Sequence, residues 1–152
     1  AMTTPVPRGF EHYDAKLGER LIGANNAVTG LPAYLGIRLL EFGPGRLVAE
    51  MPVREELKTP CGNLHGGGMA GLVDHVLGVV AYPLMRRGQW AATTEFKLNY
   101  LAAVSQGTLR AESQVVSMTR TTAIVRVEVW NGERLACIAQ GTLLVRDPKP
   151  AA

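Results

Sequence analysis

Apolar residues along this chain recur first at helical spacing, then at strand spacing, then again at each in turn. Phe10, Tyr13, Leu17 and Leu21 lie three to four residues apart, which predicts a short amphipathic helix ending near Gly23 or Asn25-Asn26. Two β-tolerant apolar runs, 35–42 and 46–53, are joined by the turn signal Gly43-Pro44-Gly45 and read as a hairpin. A polar connection through Glu55, Glu56 and Lys58 leads to the glycine-rich segment 62–68, and from there a helix runs to about Met85. Pro83 and Gly88 limit that helix, and Arg86-Arg87 sit where positive charge suits its C-terminus. Four strand-like runs follow, 91–101, 108–118, 122–130 and 134–145, with Asn131-Gly132 turning between the last two. Val125, Val127 and Val129 alternate with Arg126 and Glu128, a period of two that buries one face.

These elements make an α+β fold: an antiparallel sheet of five or six strands with one long apolar helix packed on one face. Four consecutive strands exclude an α/β sheet in which strand and helix alternate. On the long helix Met69, Leu72, Val73, Val76, Leu77, Val80 and Leu84 cover the side that must face the sheet. The opposite stripe holds Gly67, Ala70, Gly71, Asp74, Gly78 and Ala81, small residues that let another backbone or a ligand approach.

Asp74 is the single carboxylate of that stripe. An aspartate among apolar neighbours is paired, hydrated or functional, because desolvating it alone is costly. Two readings stand: a wet or ion-paired residue, with His75 or Arg126 as partner, or a general base or nucleophile. Gly66-Gly67-Gly68 open the helix, and free N–H groups at a helix start suit an anion or a developing oxyanion. His65, just before them, can hold a loop carbonyl or a substrate carbonyl. Gly66 and Asp74 are separated by roughly 12 Å along an α-helix, so one chain cannot bring both to a single reacting carbonyl. If both act on one substrate, the site lies between two copies of the chain, and a twofold dimer would hold two equal sites.

Composition narrows the classes. A length of 152 residues fits one domain, expected over 10–145 with frayed ends at 1–9 and 146–152. Hydrophobic residues at 47% and charged ones at 19% argue for a packed globule, not a disordered chain. The net charge of +3 is scattered, so no nucleic-acid partner is expected. The stretch 66–85 is interrupted by Asp74 and His75 and carries five glycines, a poor membrane span, and no membrane partner is expected. Charged residues from Arg8 to Arg20 occupy the place of a signal peptide's apolar stretch, and two cysteines make no disulfide framework, which suggests a cytoplasmic location. Cys61, four residues before His65, lacks a third orienting group for a Cys–His nucleophile. Three histidines and two distant cysteines give no metal-ligand spacing, the glycine segment lacks a P-loop ending, and no cofactor is expected.

The segment Thr59-Pro60-Cys61-Gly62-Asn63-Leu64-His65-Gly66-Gly67, followed by Leu72-Val73-Asp74, resembles the hotdog-fold acyl-CoA thioesterases of the PaaI-like, phenylacetate-pathway type. The similarity runs over about 32–145, from Leu35-Gly36 to Ala139-Gln140-Gly141. It implies a sheet wrapped round the central helix, a dimer or a dimer of dimers, and hydrolysis of an acyl-CoA substrate. Carried over by position, Asp74 activates water or attacks directly, the Gly66 N–H polarises the thioester oxygen, and His65 orients the loop. Thr93, with Thr94 as the alternative, matches the residue that places the water, and Arg120-Thr121 match the loop lining the pantetheine or phosphate end of CoA. Asn63, Gly67 and Thr59 complete the expected substrate contacts. Thr59 stands where the family commonly has asparagine; its hydroxyl reaches less far than an amide, so the contact is weaker or Asn63 contributes instead. The reading from a different class is a non-catalytic acyl-CoA-binding sensor on the same fold.

Overall fold

The computed structural model describes residues 9–148; most of both ends expected to be frayed, 1–8 and 149–152, lie outside the described residues. Helix α1 (Ala15–Asn26) starts where the Asp14 side chain accepts the Leu17 N–H at 2.9 Å, so Phe10 and Tyr13 precede the helix instead of opening it. A second helix, α2 (Leu31–Leu35), was not expected from the sequence. Its five residues are too few to show a period. Gly36 ends it at φ +75°, and the first strand therefore starts at Arg38 and not at Leu35.

Strands β1 (Arg38–Gly43) and β2 (Arg46–Pro52) form the expected hairpin. After a 3-10 turn at Glu55–Leu57 comes the central helix α3 (Gly66–Val79), then a 3-10 turn at Tyr82–Leu84. The sequence reading carried α3 to about Met85. Pro83 has no N–H to offer the Val79 carbonyl and its ring crowds that oxygen, which is why the α-helical pattern stops at Val79. Strands β3 (Trp90–Tyr100), β4 (Thr108–Met118), β5 (Thr122–Asn131) and β6 (Arg134–Arg146) follow. All pairings are antiparallel and the sheet order is β1-β2-β4-β5-β6-β3.

The sheet packs round α3, which touches β2, β3, β4, β5 and β6, the hotdog arrangement. Leu72, Val73, Val76 and Leu77 are fully buried, each worth about 1.5–3 kcal/mol in removal of apolar surface from water. Val125, Val127 and Val129 are buried from the sheet side, with Arg126 exposed, as the alternation requires. One polar contact also ties the two layers: buried Ser113 on β4 donates its hydroxyl to the Val76 carbonyl at 3.1 Å. Packing is tight at Gly141 on β6, where a Cβ would lie 2.7 Å from Leu77 Cδ1 and 2.6 Å from the Glu95 carbonyl oxygen. The small-residue stripe of α3 is not one free surface. A Cβ at Gly71 would meet Leu35 of α2 at 2.7 Å, and Ala81 is fully buried.

Candidate active site

His65 caps α3. Its Nδ1 accepts the Gly67 N–H at 2.8 Å, leaving the ring proton on Nε2. Its carbonyl accepts from Gly68 at 2.9 Å and from Met69 at 3.3 Å, and its own N–H donates to the Leu57 carbonyl at 2.8 Å. The loop before it is equally fixed: Thr59 N–H donates to the Asn63 carbonyl at 2.7 Å, Gly62 N–H to the Thr59 carbonyl at 2.9 Å, and Leu64 N–H to the Val104 carbonyl at 2.7 Å. Among the described residues no acceptor meets the Gly66 N–H. The first turn of α3 thus presents one free donor, at the position the sequence singled out.

That donor borders a groove of about 470 Å³ lined by Asn63, Leu64, Gly66, Met69 and residues 100–104. Tyr100, from the end of β3, donates its hydroxyl to the Gly66 carbonyl at 2.8 Å. Its ring covers Gly66 so closely that a Cβ there would sit 2.8 Å from Oη and 2.9 Å from Cζ. Nothing in the sequence marked Tyr100, which lies 34 residues from Gly66 and reaches it only through the pairing of β3 with β6.

Asp74 lies two turns further along α3 and is exposed, making no ion pair among the described residues. Neither His75 nor Arg126 pairs with it. Burial pushes the neighbouring His75 imidazole below its ordinary value, against the pull of the Asp74 carboxylate. Thr93 Oγ1 faces α3 at Gly78, 3.6 Å from where a Cβ would be, one turn beyond Asp74 on the same face. A β-bulge lies between Thr93 and Glu95, opposite Leu143 and Thr142. The bulged Thr94 donates its hydroxyl to the Thr142 carbonyl at 3.1 Å. Arg120 and Thr121 occupy the β4–β5 turn at the far end of α3. Arg120 lines a separate groove of about 530 Å³ with His12, Leu84, Met85, Arg86 and Met118. Within one chain, then, Gly66, His65 and Asn63 are together, Asp74 and Thr93 form a second group, and Arg120-Thr121 stand apart from both.

The Thioesterase superfamily model matches residues 61–138, from the capping loop to β6. The chain belongs to the thioesterase superfamily.

Among the relatives of this thioesterase, the proofreading thioesterase EntH of Cronobacter turicensis is 31% identical over 111 residues, covering 73% of this chain and 81% of the relative. The 1,4-dihydroxy-2-naphthoyl-CoA hydrolase of Listeria monocytogenes is 25% identical over 118 residues, covering 77% and 96%. In structure, thioesterase HI1161 of Haemophilus influenzae superposes with a TM-score of 0.80 at 23% identity, covering 87% of this chain and 92% of that one. The present protein is a thioester hydrolase, which sets aside the non-catalytic sensor reading.

Proposed function

We propose that this thioesterase hydrolyses an acyl- or aryl-CoA thioester at a site shared by two copies of the chain. The observation that carries the proposal is the unmatched Gly66 N–H beside a groove, on the same helix as an exposed, unpaired Asp74 roughly 12 Å away. A donor and a carboxylate so separated act on one carbonyl only if they come from different chains. The substrate class draws support from the Listeria relative, whose name specifies an aryl-CoA.

The reaction balances on two routes. In the first, Asp74 takes a proton from water and the hydroxyl adds to the thioester carbon. Negative charge gathers on the carbonyl oxygen facing the Gly66 N–H; as the carbonyl re-forms the C–S bond breaks, and the departing sulfur takes the proton that Asp74 accepted from water. In the second, an Asp74 oxygen adds to the carbon, CoA thiolate leaves, and water hydrolyses the resulting anhydride. Thr93 suits water placement because its hydroxyl faces the helix near Asp74, whereas the Thr94 hydroxyl is already held by the Thr142 carbonyl. Asn63 lines the groove and Thr59 does not, which favours Asn63 for the polar contact. The Gly67 N–H is engaged by His65, leaving its close backbone approach as its contribution.

Antiparallel pairing of β3 with the β3 of a second copy would set the Gly66 end of one α3 beside the Arg120-Thr121 turn of the other. The CoA phosphates would then meet Arg120 while the thioester meets Gly66. Release of CoA thiol from short, medium and aromatic acyl-CoAs tests the reading. Asp74→Ala should lose at least about a hundredfold in kcat, and equal turnover by parent and variant would refute it. Mixed dimers of an Asp74 variant with a Gly66→Leu variant should regain part of the activity; none regained in verified mixed dimers would refute the shared site.

A further inference from the structure

We propose that Tyr100 is a positioning residue that holds the Gly66 N–H in line with the thioester oxygen; this rests on the role given to Gly66 above. The peptide joining Gly66 to Gly67 is gripped at both ends, its oxygen by the Tyr100 hydroxyl at 2.8 Å and its N–H by His65 Nδ1 at 2.8 Å. The preceding peptide, which carries the Gly66 N–H, is held through the His65 carbonyl by Gly68 at 2.9 Å. Between these two planes the only freedom is rotation about the Gly66 Cα, where a residue without a side chain resists least. Clamping both planes removes that freedom. The donor therefore stands oriented before substrate arrives, the condition under which a hydrogen bond contributes most to stabilising a developing charge.

Gly66 and Tyr100 are fitted to one another. Any Cβ at 66 would drive the phenol from its place, since it would lie 2.8 Å from the hydroxyl oxygen. The need for glycine here thus comes from within the chain as well as from the approach of a ligand. Tyr100 is also half exposed at the groove it lines, with a relative exposure of 55%, so it contributes little to the buried core. A hydroxyl at the surface that meets the main chain of the proposed reacting donor is better explained by that donor than by fold stability.

Tyr100→Phe keeps the ring and removes the one hydrogen bond. The expected result is a fall in kcat of about tenfold, from loss of an ordinary hydrogen bond that matters in the transition state, with KM nearly unchanged. The melting temperature should stay close to that of the parent. Glycine-selective amide NMR of the 152-residue chain supplies a readout independent of turnover: the Gly66 and Gly67 resonances should shift and the Gly67 amide should exchange faster. Unmoved resonances overturn the positioning role whatever the kinetics. If the resonances move and kcat does not, the hydroxyl holds the peptide but Gly66 is not the thioester's donor; the reading of the site fails and this proposal with it.

Discussion

The two edges of the sheet are finished differently. At β1 the Asn26 side chain, from the last residue of α1, donates to the Leu39 carbonyl at 3.0 Å and accepts the Leu39 N–H at 2.8 Å. The chain itself thereby occupies the main-chain groups that another strand would use, and α1 packs along that edge. At β3, an eleven-residue strand from Trp90 to Tyr100 pairs with β6 on one side, Thr94 alone being bulged out of the ladder, and no described strand lies beyond it. An open edge of that length is a place where another strand adds. Only one of the edges is left available, and it is the one whose end carries Tyr100 and whose middle carries Thr93. Pairing and catalysis would draw on the same strand.

The largest effect expected from this contrast is on dilution. Specific activity should fall towards zero as the protein is diluted through the concentration at which light scattering shows separated chains. Constant specific activity in verified single chains would mean the open edge has no part in the reaction. Next comes Gly141→Val, which places atoms against the Glu95 carbonyl and Leu77 and so prises β3 from β6 and α3. Overpacking of this kind costs about 3 kcal/mol, roughly 10 °C in melting temperature for a chain of this size. Asn26→Ala should cost less, about 1–2 kcal/mol in urea unfolding, as two hydrogen bonds to the strand go. It should also bring association beyond the parent's pairing through β3, seen as larger species in light scattering, because the Leu39 main-chain groups on β1 are then free.

The smallest effect is one of pH. Burial holds the His75 imidazole below its ordinary value in the folded chain, outweighing the neighbouring Asp74 carboxylate. The unfolded chain then binds a proton more readily below about pH 6.5, so stability tied to His75 is complete above that pH and declines as pH falls through it. Melting temperatures between about pH 7.5 and 5.5 should decline more for the parent than for His75→Gln. An identical slope would remove His75 from the account.

The pattern of apolar residues made the frame readable because its periods were long: β4 was placed at its observed bounds, and six of the seven apolar positions read on α3 are buried, Leu84 being partly so. The sequence leaves Asp74 wet, ion-paired or catalytic, and only the structure shows it exposed and without an ion pair among the described residues, because the wheel gives a residue's side of the helix but not what covers that side. The same ignorance hid Leu35 over Gly71. The loop glycines pointed to Gly66 and His65 through local chemistry, which sequence carries. Tyr100 escaped because its partnership depends on strand register, a long-range property.

That register turns on a matter of odd and even. Thr93 and Tyr100 are seven positions apart, and in an unbroken strand they would point to opposite sides. The extra residue at Thr94 changes the parity, so that Thr93, Phe96, Leu98 and Tyr100 stand opposite Leu143, Gly141, Ala139 and Cys137, all inward-facing on β6. Deleting Thr94 would leave the two six positions apart and keep both on one side in a regular strand, whereas pairing all eleven residues without the bulge would turn one of them away from the helix. The irregularity is what lets a single ribbon of chain turn both residues to the same side.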